Sequence, residues 1–251
     1  MSDTRGASSN TEEPAPEAGP EGGTFEDVDF TRIDVRSKLA ALESEPCVFR
    51  RCNFDSADLR DLDLADAVFD HCTLDEATLR GCRLDNVRVT AGSFVNASFA
   101  GVDLTDAVFD TADLSRARFN DALLADARFV ACKMIGADLT SLRGLAVTFT
   151  IDHCNLQLAN LAETHLRGLH MTGTNLSEAD LWGADLREAV FQDCRLRELD
   201  LSETRLEGAD LRGADLGGLT ADTPRQLRGA VISSHQAAEI CTALGLTVID
   251  H

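Results

Sequence analysis

The sequence predicts an all-β solenoid whose coils have four sides of five residues each, and two observations carry that prediction. Every fifth residue from Phe49 to Leu139 is Leu, Phe, Val or Met, and the same spacing holds from Leu156 to Leu216. Neither an α-helix nor an extended strand keeps a period of five on one face. Residues 49, 69, 109 and 129 are Phe, whereas residues 64, 84, 104 and 124 are Leu, so like residues recur at every fourth unit. We therefore expect four units per coil, with like side chains stacked in columns about 4.8 Å apart.

The position two residues before each apolar residue is also expected to face inward, because it is mostly small. It is usually Ala or Cys, and the residue that follows it is often Asp or Asn, as in Ala179-Asp180-Leu181 and Ala209-Asp210-Leu211. Seven of the eight cysteines occupy this small position, and we interpret them as small apolar residues rather than as zinc ligands or disulfides: Cys47, Cys52, Cys72, Cys82, Cys132, Cys154 and Cys194. The sequence therefore calls for no metal and no cofactor.

Units of the form Ala-(Asp/Asn)-Leu-x-x, repeated over most of the chain, resemble the pentapeptide-repeat family. This resemblance implies a right-handed quadrilateral β-helix. The sequence adds a short C-terminal α-helix to that fold. It also divides the chain into segments, of which the first is expected to be disordered: an acidic tail at 1–23, imperfect repeats and an N-terminal insertion or cap at 24–46, a first repeat block at 47–140, a phase break at 141–154, a second repeat block at 155–219, and a C-terminal cap or dimerisation helix at 220–251.

The phase break is expected to be a packed, irregular coil. The five-residue register shifts by two between the repeat blocks. The break is rich in apolar residues, namely Leu142, Leu145, Val147, Phe149 and Ile151. A pocket beside this break would favour an enzyme; otherwise a solenoid with a filled core offers no cleft for catalysis, and we expect no enzymatic activity.

The C-terminal segment predicts one short helix. Ser233 and Gln236 have the spacing of a capping box, and Gly245 suits the end of the helix. The apolar stripe consists of Ala237, Ile240, Cys241 and Leu244. A solenoid end must be covered, so this helix is interpreted either as a cap or as a dimerisation surface. The resemblance favours the dimer, because quinolone-resistance members of the family end in a similar helical module.

The charge of the chain limits the classes of partner. The formal net charge is −20, which disfavours direct binding to nucleic acid or to anionic membranes and favours basic grooves of other proteins. The sequence has no apolar stretch long enough for a membrane span and no signal peptide, so a cytoplasmic protein is expected.

Acidic residues form two predicted stripes. The first lies on the side centred on Leu64, Leu84, Leu104 and Leu124 and contains Asp63, Asp66, Asp85, Asp103, Asp106 and Asp126, with Arg83 as the main interruption. The second lies around Leu161, Leu181 and Leu201 and contains Glu163, Asp180, Asp200 and Glu203, with the single tryptophan, Trp182, as a candidate contact residue. The simplest interpretation is a solvated face that keeps a repetitive rod soluble.

The functional interpretation is DNA mimicry. The resemblance to the quinolone-resistance subgroup implies a rod that binds DNA gyrase or a related topoisomerase where DNA would lie. Such a rod protects the enzyme from fluoroquinolones or from a natural-product poison. The alternative is a generic scaffold for an unrelated protein partner.

Overall fold

The computed structural model describes residues 23–39, 46–144 and 148–249. Within them the chain winds into a stack of coils, and nine short strands form one parallel sheet in sequence order. The strands are β1 (Thr24–Glu26), β2 (Val48–Arg50), β3 (Val68–Asp70), β4 (Arg88–Thr90), β5 (Val108–Asp110), β6 (Arg128–Val130), β7 (Thr150–Asp152), β8 (His170–Thr172) and β9 (Val190–Gln192). The predicted parallel β-solenoid is thus confirmed.

Each coil has four sides, which we name by their core residue in the first complete coil. Side A carries the strands and is centred on Phe49, which pairs in register with Phe69. Backbone bridges join successive coils on the other sides, for example Asn53 with Thr73 beside Phe54 (side B). Equivalent bridges join Asp58 with Thr78 beside Leu59 (side C) and Asp63 with Arg83 beside Leu64 (side D).

The core consists of stacked columns of like residues, as the sequence predicted. The rings of Phe109 and Phe129 lie 5.2 Å apart at 10°, and those of Phe99 and Phe119 lie 5.0 Å apart at 2°. Each buried Leu or Phe contributes on the order of 1.5–3 kcal/mol. The seven cysteines at small inward positions are buried, and burial raises the pKa of the Cys82 and Cys194 thiols to about 11. These two thiols therefore stay protonated at neutral pH.

Many corners of the coil are held in left-handed backbone conformation. Asp66, Asp106 and Asp126 have φ of 58°, 58° and 55°. Among non-glycine residues, Asp and Asn tolerate this region best. The backbone N–H at each of these corners donates to the next coil, as Asp106 N does to Ala125 O at 2.8 Å. This geometry leaves the corner side chain exposed, and it explains why carboxylates recur at the edges of the sides.

The phase break lies on side D. Phe129 pairs with Ile151, two residues further along than the step from Phe109 to Phe129. Arg143 still bridges Leu123 at the shorter spacing, so the extra residues lie between Arg143 and Ile151. Phe149 and Ile151 are buried and Leu142 is half-buried, in agreement with a packed coil, whereas residues 145–147 lie outside the described chain.

Arg143 was not anticipated as a structural residue. Gly144 follows it at the position where the column of Leu64 and Leu124 would continue. The guanidinium of Arg143 donates to the carbonyls of Asp121 at 2.5 Å, Gly101 at 3.1 Å and Val102 at 3.3 Å. One side chain thus joins three successive coils where the regular repeat is interrupted.

The N-terminal repeats pair with the regular stack. Phe25 in β1 is in register with Phe49, and Asp29 bridges Asn53. A 3₁₀ turn (Phe30–Arg32) and a short helix, α1 (Val35–Leu39), follow. The acidic tail up to residue 22 and the remainder of the predicted insertion, residues 40–45, lie outside the described chain.

The C-terminal segment caps the last coil. It contains α2 (Thr223–Gln226) and α3 (Ser234–Ala243), and Val231 bridges Asp210 between them. The predicted capping box of α3 is confirmed, with Ser233 and Gln236 bonded in both directions. The buried Gln236 amide also donates to Leu211 O at 2.8 Å and to Ala214 O at 2.9 Å. The bond to Ala214 O supplies a donor to a carbonyl that no further coil satisfies, whereas Leu211 O also accepts from Ala214 N at 3.0 Å.

Candidate partner-binding surfaces

The first acidic stripe lies on side D before the phase break, and the structure brings its members together. Asp63, Arg83 and Asp103 are bridged in succession along the middle of the side. Asp66, Asp106 and Asp126 share the adjoining corner, where Asn86 completes the column and donates to Asp66 at 2.5 Å. We call the set of six, which also includes Asp85, the side D stripe.

Part of the charge of the side D stripe is neutralised. Arg83 bonds Asp63 at 2.8 Å and approaches Asp85 at 3.4 Å. Asp103 accepts two bonds from Thr105, at 3.0 Å from its N–H and 2.7 Å from its hydroxyl. Within the described chain, the carboxylates of Asp106 and Asp126 have no bonded partner. The far end of the stripe therefore presents unneutralised charge to solvent.

The second acidic stripe lies on side C after the phase break. Bridges run along that side from Asp58 through Asp138 and Asn160 to Asp180. Leu201 is buried in the same column, which places Asp200 and Glu203 one coil further on. The hydroxyl of Ser202 donates to Asp200 at 2.7 Å and holds the pKa of that carboxyl below its usual value. We call Glu163, Asp180, Asp200 and Glu203 the side C stripe.

The two stripes occupy adjacent sides of the rod rather than one continuous side. The side D stripe ends at Asp126, just before the phase break, and the side C stripe begins at Glu163, just after it. Beyond the break, side D carries Arg167, Arg187 and Arg205 beside its own carboxylates. The acidic surface therefore moves across one corner of the square section at mid-length.

Trp182 stands on side C within the second stripe. The residue is 54% exposed, and the residues one coil before and after it in its column are the small Ala162 and Ser202. Its backbone N–H donates to the Asp180 carboxylate at 3.0 Å. The structure therefore keeps the indole at the surface, where the sequence placed it.

A cavity of about 310 Å³ lies beside the phase break, and it bears on the enzymatic alternative. Its lining includes Asp126, Arg143 and His165. Arg143 bonds backbone carbonyls, and the described residues show no hydrogen bond between Asp126 and His165. Among the described residues that line the cavity, no nucleophile and base are therefore in bonded contact. Over the same parts of the chain, no cluster of three His, Cys, Asp or Glu side chains could hold a metal ion.

The residues of the predicted dimerisation stripe differ in burial. Ile240 is buried against the last coil, and Ala237 and Cys241 are partly exposed. Leu244 is 46% exposed, and it begins an exposed apolar tail that continues through Leu246 and Val248 to Ile249. Part of the stripe thus serves the cap, and the apolar surface that remains exposed lies C-terminal to the helix. Among the described helices, none has the length and apolarity to cross a bilayer.

Comparison with solved structures finds similar folds. One is the structure of trypsin-treated QnrB1, described as a plasmid-mediated fluoroquinolone resistance protein, whose sequence is 22% identical to this chain. The alignment covers 81% of this chain and 88% of that chain, with a TM-score of 0.58. Full-length QnrB1 gives 20% identity, coverage of 89% and 97%, and the same TM-score of 0.58. HetL, a pentapeptide-repeat protein of the cyanobacterium Nostoc involved in heterocyst differentiation regulation, is 24% identical, with coverage of 76% and 86% and a TM-score of 0.43.

Comparison with family models identifies the repeat itself, whereas a search of curated proteins gives no match. A model for a pentapeptide repeat region matches residues 43–114. A model for pentapeptide repeats matches in eight copies over residues 112–142, 154–193 and 189–220. These matches cover more than half of the chain and coincide with the four-sided coils, so the chain belongs to the pentapeptide-repeat family.

Proposed function

We propose that this protein is a non-enzymatic, cytoplasmic rod that imitates DNA. Its acidic sides occupy the DNA-binding groove of DNA gyrase or a related topoisomerase and protect that enzyme from inhibitors such as fluoroquinolones or a natural-product poison. The partner is a protein, and the net charge of −20 opposes direct binding to nucleic acid or to anionic membranes.

The charge density of the side D stripe carries this proposal. Six carboxylates, from Asp63 to Asp126, lie along four coils. At about 4.8 Å per coil this is about one carboxylate every 3 Å, or one net charge about every 5 Å after Arg83 and Arg143 are subtracted, since the Arg143 guanidinium lies across two of these coils. One strand of B-DNA carries one charge per roughly 3.4 Å. A basic groove therefore meets a similar linear density of negative charge on this side.

The choice of topoisomerase rests on the similarity to QnrB1, a fluoroquinolone resistance protein. The coverage of 89% of this chain and 97% of QnrB1 extends that similarity over the whole rod. Fluoroquinolones act on gyrase and related enzymes, so a fold of this kind, acidic on two sides, fits an enzyme that normally holds DNA.

A gyrase supercoiling assay with a fluoroquinolone tests the proposal. We expect the protein to relieve inhibition, and the double variant Asp106→Asn/Asp126→Asn to need about three to ten times more protein for the same effect, since two unneutralised charges are lost. The control is Glu76→Gln/Asp193→Asn, which removes the same charge from left-handed corners remote from both stripes. If the protein neither binds gyrase nor changes supercoiling, with or without the drug, the proposal is abandoned.

The alternative is a scaffold for an unrelated partner. Capture of proteins from a lysate, followed by identification of the bound chain, distinguishes it from the gyrase proposal. A partner without a DNA-binding groove would favour the scaffold.

We also propose that two copies associate through the C-terminal apolar tail. Leu246 is 58% exposed and Ile249 is 72% exposed, and Leu244 and Val248 lie beside them. Exposed apolar residues gathered in one short segment usually mark an association surface. Such a homodimer joins two rods at their capped ends and leaves both acidic stripes free.

A further inference from the structure

Among the described residues of side C after the phase break, the large apolar side chains that are exposed are those of Leu158 and Trp182, of which Trp182 is the larger. The coil before it carries Ala162 in the same column and the coil after it carries Ser202. The positions before and after Trp182 in its column therefore carry small side chains, and the residue is 54% exposed. Exposed tryptophans surrounded by smaller residues are typical anchors of protein interfaces.

Two acidic residues lie against the backbone at Trp182. Asp180 lies on the same coil, where one of its oxygens accepts from the Trp182 N–H at 3.0 Å. Glu163 lies on the preceding coil, where its own N–H donates to Trp182 O at 2.7 Å. The Cγ of Glu163 is 3.3 Å from where a Cβ on Gly183 would stand, so this side chain lies against the corner residue that follows Trp182. Within the described chain, the Glu163 carboxylate has no bonded partner.

Side C carries no lysine or arginine after the phase break, and the arginines of that half of the rod lie on other sides. The three segments that form side C after the phase break, residues 158–163, 178–183 and 198–203, contain no Lys or Arg. A cation that approaches Trp182 therefore meets carboxylates that no basic residue of the same side neutralises.

We propose that Trp182, Glu163 and Asp180 form a receptor for an arginine or lysine side chain of a basic protein partner. The cation lies across the indole face, where the ring quadrupole attracts it, while Glu163 and Asp180 neutralise its charge. This proposal rests on the proposed function for the basic character of the partner, and it adds an anchor on side C to the charge that the side D stripe supplies.

Charge complementarity determines the occupant. An apolar partner would leave Glu163 and Asp180 desolvated without a counter-charge, which is costly. A second copy of this chain, itself at −20, would add like charge to the same surface. A basic segment alone satisfies both the indole and the carboxylates.

The chain contains one Trp and no Tyr, so its intrinsic fluorescence reports directly on this receptor. The probe is a short peptide in which arginine alternates with alanine, and its matched control replaces each arginine by the uncharged citrulline. We expect a saturable change in emission with the arginine peptide and little change with the citrulline peptide. We also expect the affinity to fall as salt is added.

Variants separate the receptor from general charge attraction. Glu163→Gln should lower the affinity for the arginine peptide by about twofold to fivefold. The matched control is Glu76→Gln, which should leave the affinity unchanged; Glu76 also lies at a left-handed corner, with a φ of 60° against 57° for Glu163. Trp182→Ala, followed by the anisotropy of a labelled peptide, should weaken binding by about threefold to tenfold.

The inference is overturned if Glu163→Gln binds the peptide as Glu76→Gln does, if Trp182→Ala binds as tightly as the parent protein, or if binding persists unchanged at high salt. The peptide assay does not involve gyrase, so the two proposals can fail separately. Peptide binding without any effect on gyrase retains the receptor and removes the topoisomerase proposal. Protection of gyrase that is unaffected by Trp182→Ala removes the receptor as a contact to gyrase and retains the topoisomerase proposal.

Discussion

Replacing Gln236 by leucine should lower the free energy of unfolding by about 2 kcal/mol. The Gln236 amide is buried and donates to two carbonyls, Leu211 O at 2.8 Å and Ala214 O at 2.9 Å. Leu211 O also accepts from Ala214 N at 3.0 Å, so the substitution leaves only Ala214 O without a donor, which costs about 1–3 kcal/mol. Loss of the reciprocal bond from Ser233 N, at 2.8 Å, removes the other half of the capping box, and the added apolar burial of leucine offsets part of the total.

Equilibrium unfolding in urea, followed by far-UV circular dichroism, measures this change. Hydrogen exchange of the Ala214 amide reports on the last coil alone, and we expect its protection to fall in Gln236→Leu. Ser233→Ala is the matched control for the cap, because it should cost about 1 kcal/mol and leave both carbonyls paired. His235→Ala, at an exposed neighbour in the same turn, should stay within about 0.5 kcal/mol.

A second variant, Gln236→Glu, tests the same hydrogen bonds through the pH dependence of stability. A carboxylate accepts but does not donate, whereas a protonated carboxyl can donate to one carbonyl. The introduced group therefore has a folded-state pKa above its unfolded value, so its stabilising bond is present at low pH and is lost as pH rises. We expect the gap between this variant and the parent to widen on going from acid to neutral pH. A cost below about 0.5 kcal/mol for Gln236→Leu, or a gap in Gln236→Glu that does not depend on pH, would refute the account of the cap.

Three further predictions concern other parts of the rod. Gly92→Ala should destabilise the protein by about 3 kcal/mol or more, because the new Cβ would lie 2.2 Å from Cys72 O and the residue has a φ of +91°. The control is Gly101→Ala, at a φ of +72° with open space around it, which should cost about 1 kcal/mol in the same urea measurement. Asp185→Asn should lower the free energy of unfolding most above about pH 4. The bond from the Arg187 guanidinium lowers the pKa of Asp185, and the stability that this ion pair provides is lost as pH falls through that lowered pKa. A difference in unfolding free energy between variant and parent that is the same at acid and neutral pH would contradict this. Deletion of residues 246–249 should convert a dimer to a monomer in sedimentation equilibrium, and an unchanged mass would remove the proposed association.

The repeat could be predicted from the sequence because the size and polarity of the residues in each unit reflect which of them face inward. The alternation of Ala or Cys with Leu or Phe identifies both inward positions, and stacking follows from like residues such as Phe109 and Phe129. The capping box could be predicted because Ser233 and Gln236 interact over a single turn. Local patterns of this kind need no knowledge of the rest of the chain.

The relative placement of the two stripes could not be predicted, because it depends on how many sides the phase break contains. The interval from Leu139 to Leu156 fits three sides with two extra residues or four sides with three missing. The pairing of Phe129 with Ile151 decides for the first, and this places Leu161 on side C. Arg143 was missed for a similar reason, since its bonds reach Gly101, a residue two coils away.

The left-handed corners affect how such a rod can change over evolutionary time. Corner positions are occupied by Asp126, Asn86 and Gly101 alike, since all three residue types adopt this backbone at low cost. A single codon change between them alters surface potential while the scaffold is preserved. Natural selection can therefore change the surface charge of the rod one coil at a time, and proteins with the same backbone fold can diverge toward different binding partners.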